Sequence, residues 1–204
     1  KKLLALSALV GALIIGSTMA SLADVESGLA AFQKGDYATA LQEFRLPAEQ
    51  GDADAQSFLG YFYANGIGVT KDIKEARKWL RKAAEQGEVK AQYNLALSYD
   101  EAQDYKSAVE WYRRAAQQGF VWAQFKLGKK YFHGKGVAVS KKKATKWYRL
   151  AAEQGLAAAQ GSLGEILLYR SADAVRDQKE GASWLRKAAE QEDVHAQFNL
   201  GKAY

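Results

Sequence analysis

The chain offers few side chains that could carry out covalent or metal chemistry. It contains two histidines, His133 and His195, and no cysteine. Zinc sites need several Cys, His or carboxylate ligands at close spacing, and the two histidines fall at different positions of different repeats. No Ser, His and Asp set stands out as a catalytic triad. The sequence therefore predicts no metal site, no cofactor and no enzyme activity.

Two other patterns resemble catalytic or phosphate-binding motifs, but both recur along the chain at the spacing of its sequence repeats. A glutamate occurs at the equivalent position of three sequence repeats: Glu85, Glu153 and Glu190. Acid–base catalysis instead needs a local pair of carboxyl groups in contrasting environments. Gly-x-Gly at 66–68 and 134–136 lies between two predicted helices, and neither copy follows a strand or precedes Gly-Lys-Ser/Thr as a phosphate loop would. We interpret both patterns as repeat structure.

A basic window is the feature that periodicity does not explain. No Asp or Glu occurs from Trp111 to Ala152, whereas this window contains eleven Lys or Arg residues. It is either a solvated surface that happens to be positive or an electrostatic patch that attracts an acidic partner.

Within the window, aromatic and basic residues are spaced by three or four and so share one face of a predicted helix. These residues are Trp122, Phe125, Lys126, Lys129 and His133. We expect Lys126, Lys129 and Lys130 to lie at the surface and supply positive charge, and Trp122 and Phe125 to supply an apolar anchor.

The elements that position these residues repeat along the chain. Copies that open with Ala-Gln start at Ala55, Ala91, Ala123, Ala159 and Ala196. Each of the first four copies also contains a tryptophan, which we expect to pack in the core: Trp79, Trp111, Trp147 and Trp184. A fixed period of 20 to 50 residues indicates a solenoid.

One copy shows how a repeat forms. Ala55, Leu59 and Phe62 follow helical spacing and predict a first helix, A. Asn-Gly at 65–66 breaks it, and Asp72 can cap a second helix, B, that ends at Gly87 because glycine tolerates the left-handed conformation there. A pair of helices cannot bury both its faces alone, so each pair must stack on the next.

The pattern Ala-Gln-x-x-Leu-Gly-x-x-Tyr, then Gly-x-Gly-Val, then Ala-x-x-Trp-Leu/Tyr-Arg-x-Ala-Ala-Glu-Gln-Gly resembles the Sel-one-like repeat (SLR) family, a branch of the tetratricopeptide-like α-solenoids. The resemblance implies an all-α fold, a right-handed α/α solenoid of stacked antiparallel helix pairs. It covers about residues 55–204, after a shorter first repeat. The predicted repeats are 27–54, 55–90, 91–122, 123–158 and 159–195, with a partial one at 196–204.

The resemblance also implies a place for binding. In tetratricopeptide-like solenoids the A helices line a concave groove, where asparagines can hydrogen-bond a peptide backbone and aromatic residues can hold its side chains. On this basis the predicted partner-binding residues form two sets. The first is on the A helix of the fourth repeat and includes the tryptophan just before Ala123: Trp122, Phe125, Lys126, Lys129, Lys130 and His133. The second lies on the A helices of the second and third repeats: Phe58, Tyr61, Tyr93 and Asn94.

The first 23 residues read as a leader. Lys1 and Lys2 precede an apolar run over 3–16 and small residues up to Ala23, which is the pattern of a secretory signal peptide. We expect cleavage after Ala23, or after Ala20 as the second choice, which would leave a solenoid domain at 24–204 with no stable membrane span. An uncleaved anchor or a buried helix is the alternative. We also expect the apolar residues of the partial repeat (Phe198, Leu200 and Tyr204) to be poorly protected, because a solenoid needs a polar cap.

These observations together predict an exported scaffold, periplasmic or secreted in a bacterium, that mediates protein–protein interaction. Its partner would be a protein or peptide, and an acidic one given the basic window. One alternative is a binder of anionic cell-envelope polymer or peptidoglycan. Another is a weak hydrolase, because some exported relatives in the family are reported to hydrolyse β-lactams. Nucleic acid is not expected, since export would separate the protein from most of it.

Overall fold

The computed structural model describes residues 25–170, 174–193 and 197, and these residues form helices without strands. The predicted leader at 1–23, His195 and the apolar residues Phe198, Leu200 and Tyr204 of the partial repeat lie outside the described residues. The predicted all-α repeat solenoid is confirmed. The chain divides into two compact units, one ending at Ser98 and the other beginning at Tyr99.

The helices follow one another with short connections. Residues 25–33 belong to α1. The remaining helices are α2 (Tyr37–Glu49), α3 (Ala53–Asn65), α4 (Ile73–Glu85), α5 (Val89–Glu101), α6 (Tyr105–Gln117), α7 (Val121–His133), α8 (Lys141–Glu153), α9 (Ala157–Arg170) and α10 (Ala174–Glu190). Among the residues described, none of these helices is long and apolar enough to cross a membrane.

In the first unit, short polar side chains set where helices begin. The carboxylate of Asp72 accepts hydrogen bonds from the backbone N–H groups of Lys74 (2.9 Å) and Glu75 (3.1 Å), which confirms the predicted cap of α4. Asp52 caps α3 in the same way through the N–H of Ala55, at 2.8 Å. At its other end α3 stops at Gly66, which adopts the left-handed conformation with φ of 70°.

Glycines in the A helices let the two helices of a repeat approach closely. A Cβ added at Gly128 of α7 would lie 2.6 Å from the ring of Tyr148 in α8. One added at Gly164 of α9 would lie 2.8 Å from the side chain of Leu185 in α10. The Leu-Gly dipeptide of these copies is therefore a packing site, where a methyl group would force the helices apart.

The residue after each tryptophan, more than the tryptophan itself, is the core residue of helix B. Trp79 and Trp111 are buried, as predicted, with 8% and 5% of their surface exposed. Trp147 and Trp184 are only partly buried. The following residue is enclosed in all four copies: Leu80, Tyr112, Tyr148 and Leu185.

Buried glutamines account for the Gln that opens each of the first four copies. In the second unit, the side-chain amide of Gln124 donates to the carbonyl of Ala116 (3.3 Å), and its own oxygen accepts a hydrogen bond from Gln154 (2.8 Å). The same pattern recurs in other copies at Gln56, Gln92 and Gln160, each bonded to the carbonyl eight residues upstream. These amides satisfy carbonyl groups at helix C-termini, which would otherwise be buried without partners.

Candidate functional site

The basic window supplies most of the walls of a recess in the second unit. The recess has a volume of about 400 Å³ and is open to solvent. It is lined by Asp100 at the end of α5, Tyr105 at the start of α6, four residues of α7 and one residue of the loop after it. We call this the basic recess; its lining residues are Asp100, Tyr105, Lys126, Lys129, Lys130, His133 and Lys135.

Helix α7 brings four predicted site residues to the basic recess. Lys126, Lys129, Lys130 and His133 lie within its last two turns, before the left-handed Gly134. Cationic side chains at a helix C-terminus interact favourably with the helix dipole, which helps this run of charge to be helical. The predicted helix is therefore confirmed, and it brings these four residues to one recess, while their role in binding a partner stays a prediction.

Three ammonium groups at the recess are not neutralised by any carboxylate in the part of the chain that the structure describes. Within the described residues, Lys126, Lys129 and Lys135 form no ion pair. The ammonium group of Lys129 lies 5.7 Å from the centre of the Phe125 ring, and that of Lys135 lies 5.2 Å from the centre of the Tyr105 ring. Contacts of this kind are worth about 0.5–1 kcal/mol at exposed sites, and they leave the charges in place.

Lys130 is not at the surface, so the exposed position predicted for it is wrong. Only 6% of it is exposed, and its ammonium group forms an ion pair with Asp100. The same carboxylate accepts a hydrogen bond from the hydroxyl of Tyr112 at 3.2 Å. Lys130 contacts Asp100 and Tyr105 of the preceding repeat. The equivalent position holds Phe62 in one other copy and Ser98 in another, so the position is not always apolar. The role of Lys130 is to neutralise a partly buried carboxylate at the back of the recess.

The two aromatic residues of α7 have different environments. Trp122 lies in the first turn of the helix with 46% of its surface exposed. Phe125 is partly buried, and its ring centre lies 5.8 Å from that of Tyr148 in α8. Neither residue lines the basic recess. Trp122 is therefore exposed to solvent, whereas Phe125 packs between α7 and α8.

The predicted residues of the first unit lie beside a second, smaller cavity of about 220 Å³. Phe58 and Tyr61 of α3 and Asn94 of α5 line it together, and Tyr93 does not. The remaining lining residues, which the sequence analysis did not single out, are Asp54, Ser57, Glu88 and Lys90. We call it the aromatic pocket.

Charges around the aromatic pocket are mixed. Burial raises the pKa of the Asp54 carboxyl, and the nearby carboxylates of Asp52 and Glu88 raise it further. Glu88 also caps α5, since it accepts hydrogen bonds from the N–H groups of Lys90 (2.9 Å) and Ala91. Tyr93 is partly buried, and burial raises the pKa of its hydroxyl. The aromatic pocket lacks the strong positive field of the basic recess.

The described residues contain no group of three or more His, Cys, Asp or Glu side chains arranged to hold a metal ion. Their buried side-chain nitrogen and oxygen atoms all have hydrogen-bond partners.

Comparison with known proteins agrees with this architecture. The Sel1 repeat model matches residues 53–88, 89–120, 123–156 and 157–193, more than half of the chain. A Sel1 repeat protein from Oxalobacter formigenes has 34% identity and a TM-score of 0.81, with 88% of this chain and 75% of that one covered. A protective antigen of uropathogenic Escherichia coli strains, which displays an SLR fold, has 34% identity and a TM-score of 0.82, with 90% and 41% covered.

Curated relatives share only a segment. An F-box protein of Arabidopsis thaliana is 42% identical over 82 residues, which is 40% of this chain and 22% of that protein. The chain thus spans less than a quarter of that relative's length. Sel1 repeat proteins are mostly non-catalytic scaffolds, and their repeats are typical of protein–protein interaction. Because four successive repeats match and the helices have the SLR arrangement, this chain belongs to the Sel1 repeat family.

Proposed function

We propose that this Sel1 repeat scaffold binds an acidic segment of another protein along α7. The observation that carries the proposal is Trp122, a large aromatic residue that is 46% exposed on a helix without acidic residues. Exposed aromatic side chains beside charge are typical of interaction sites, where Trp, Tyr and Arg contribute much of the binding energy.

The charge of α7 supports an acidic partner. Lys126 and Lys129 point to one face of the helix and have no ion pair among the described residues. An acidic segment would gain the attraction of these groups without first breaking ion pairs within the scaffold. Complementary charge chiefly raises the rate of encounter and the specificity of the complex, so binding should weaken as salt increases.

The proposed experiment measures the affinity of a fluorescein-labelled model peptide rich in glutamate and phenylalanine. The double variant Lys126→Glu/Lys129→Glu should weaken binding and reduce its dependence on salt, because exposed charges act over about one Debye length. Trp122→Ala should cost on the order of 2 kcal/mol of binding free energy if the indole is an anchor. Neither variant should lower the melting temperature greatly, because both sites lie outside the core.

The matched control is Lys141→Glu/Lys142→Glu, which changes the net charge equally at two exposed lysines of α8. It should leave most of the affinity intact. Equal losses in the two double variants would mean that the peptide responds only to net charge, and the proposal would then be wrong. Binding that depends on the lysines of α7 but not on Trp122 would favour the alternative partner, an anionic envelope polymer.

The same scaffold would act outside the cytoplasm. The leader-like segment at 1–23 supports export, and a periplasmic or secreted location is part of the proposal. In that compartment the partner would be an envelope or secreted protein with an acidic segment.

A further inference from the structure

We propose that the basic recess is a binding site for a free, compact, multiply charged oxyanion of the diphosphate class. This inference goes beyond the scaffold function, because it needs no protein partner. It rests on the charge, the rigidity and the donor chemistry of the recess.

The balance of charge in the recess is strongly positive. Asp100 is the one carboxylate among its described lining residues, and it is already engaged by the ammonium group of Lys130 and the hydroxyl of Tyr112. Lys126, Lys129 and Lys135 remain without an ion pair in the described part of the chain. Three ammonium groups around one cavity repel each other, and an ion with two or more negative charges would relieve that repulsion.

The loop that contributes Lys135 is held against the recess by backbone contacts. Lys135 lies between Gly134 and Gly136, which both adopt positive φ, of 70° and 79°. Gly136 packs so closely on Tyr105 that an added Cβ would overlap the carbonyl oxygen of that residue. The backbone N–H of Lys135 donates to the carbonyl of Lys130 at 3.1 Å. The backbone around Lys135 is therefore ordered before a ligand binds, which lowers the entropic cost of binding.

The donors favour phosphate groups over planar carboxylates. None of the described residues that line the recess is an arginine, and arginine is the residue whose planar fork matches a carboxylate through two hydrogen bonds. Lysine ammonium groups act as point charges with three donors each, which suits the several oxygens of a phosphate.

The aromatic wall of the recess favours a diphosphate over a nucleotide. The cavity of about 400 Å³ has room for either ligand, so the choice depends on the chemistry of its walls. The Tyr105 ring would be the surface for a base to stack on, but the ammonium groups of Lys130 and Lys135 already lie 4.5 and 5.2 Å from its centre. The recess thus presents ammonium groups to a ligand, while the face of the Tyr105 ring is already in contact with two lysines.

The experiment is titration of the full chain with pyrophosphate, followed by calorimetry and by thermal melting. We expect one pyrophosphate per chain and a melting temperature that rises with its concentration, since a ligand that binds only the folded state stabilises it. Sodium chloride at the same ionic strength should raise it much less. Lys135→Gln, at an exposed position, should weaken binding at least about tenfold, as expected for loss of a charge-assisted hydrogen bond, while Lys141→Gln should not.

Other variants separate this proposal from the protein-binding one. Trp122→Ala should impair binding of the acidic peptide and leave pyrophosphate binding unchanged, so that each proposal can fail on its own. Stabilisation equal to that by chloride, or pyrophosphate binding unaffected by Lys135→Gln, would overturn the oxyanion site. So would a Lys135-dependent stabilisation produced by the glutamate-rich peptide but not by pyrophosphate.

Discussion

The ion pair between Lys130 and Asp100 shows how a single charged residue acquires a structural role. The lysine is buried in the second unit, and removing one member of a buried pair leaves the other charge without compensation. Such a loss typically costs about 3–5 kcal/mol, whereas replacing both partners with neutral groups costs much less.

We therefore expect Asp100→Asn to lower the free energy of unfolding by about 3 kcal/mol. The double variant Asp100→Asn/Lys130→Met should recover most of this loss. The control is Glu110→Gln, which breaks the exposed ion pair with Arg114 and should cost less than about 1 kcal/mol. Urea denaturation measures all three variants, and similar costs for Asp100→Asn and Glu110→Gln would show that Lys130 is not effectively buried.

Tyr148 makes the stability of the second unit depend on pH in the alkaline range. It is 3% exposed, and burial raises the pKa of its hydroxyl, with a smaller contribution from the negative charge of Glu165. An unfolded tyrosine ionises near pH 10, while the folded one keeps its proton to higher pH. Its contribution to stability is therefore complete below about pH 10 and is lost as the pH rises further.

Tyr148→Phe removes this titration and should flatten the fall in stability above about pH 10. The measurement is the free energy of unfolding from neutral to alkaline pH, compared between the variant and the original chain. Identical slopes for the original chain and Tyr148→Phe would contradict the prediction.

Among the secondary-structure elements, the connections between helices differ in how tightly they pack. Gly119, after α6, has φ of 88° and open space where a Cβ would be. Gly136, in the loop between α7 and α8, combines φ of 79° with close contact to the backbone of Tyr105. Both positions strain an L-amino acid, but only the second also lacks room for a side chain.

Gly119→Ala should lower the free energy of unfolding by about 1–2 kcal/mol, the cost of a left-handed residue with a side chain. Gly136→Ala should cost clearly more, because the loop must also move away from Tyr105. If the oxyanion site exists, Gly136→Ala should weaken pyrophosphate binding as well, and Gly119→Ala should not. Equal stability of the two variants would indicate that the loop moves without resistance.

For the molecule as a whole, the main prediction concerns export. The chain carries a net charge of +6, and its first residues have the pattern of a secretory leader. N-terminal sequencing of protein recovered from the periplasm or medium of a bacterial host should begin at Asp24 or Ser21. Replacing Leu3 and Leu4 with aspartate should block export, because an apolar segment is required. Recovered protein that still contains residues 3–16 would contradict cleavage.

The repeats, the helices and their caps could be predicted because each depends on neighbours in the chain. The 32- to 37-residue spacing of the Ala-Gln copies set the number of helix pairs, and Asp72 and Gly66 marked helix ends through local hydrogen bonds and backbone conformation. The grouping of Lys126, Lys129 and His133 followed from helical spacing alone. Local geometry is enough for each of these inferences.

The burial of individual side chains depended on contacts between residues far apart in sequence. Lys130 can be buried because its ammonium group forms an ion pair with the carboxylate of Asp100, 30 residues away in the sequence. Tyr148 occupies the core more fully than Trp147 because Gly128 of the preceding helix leaves space at that position. Lys135 lies at the recess because its loop packs on Tyr105. A periodic pattern shows that helices stack, but the pairing of one helix face with another determines which residues are enclosed and which can meet a ligand.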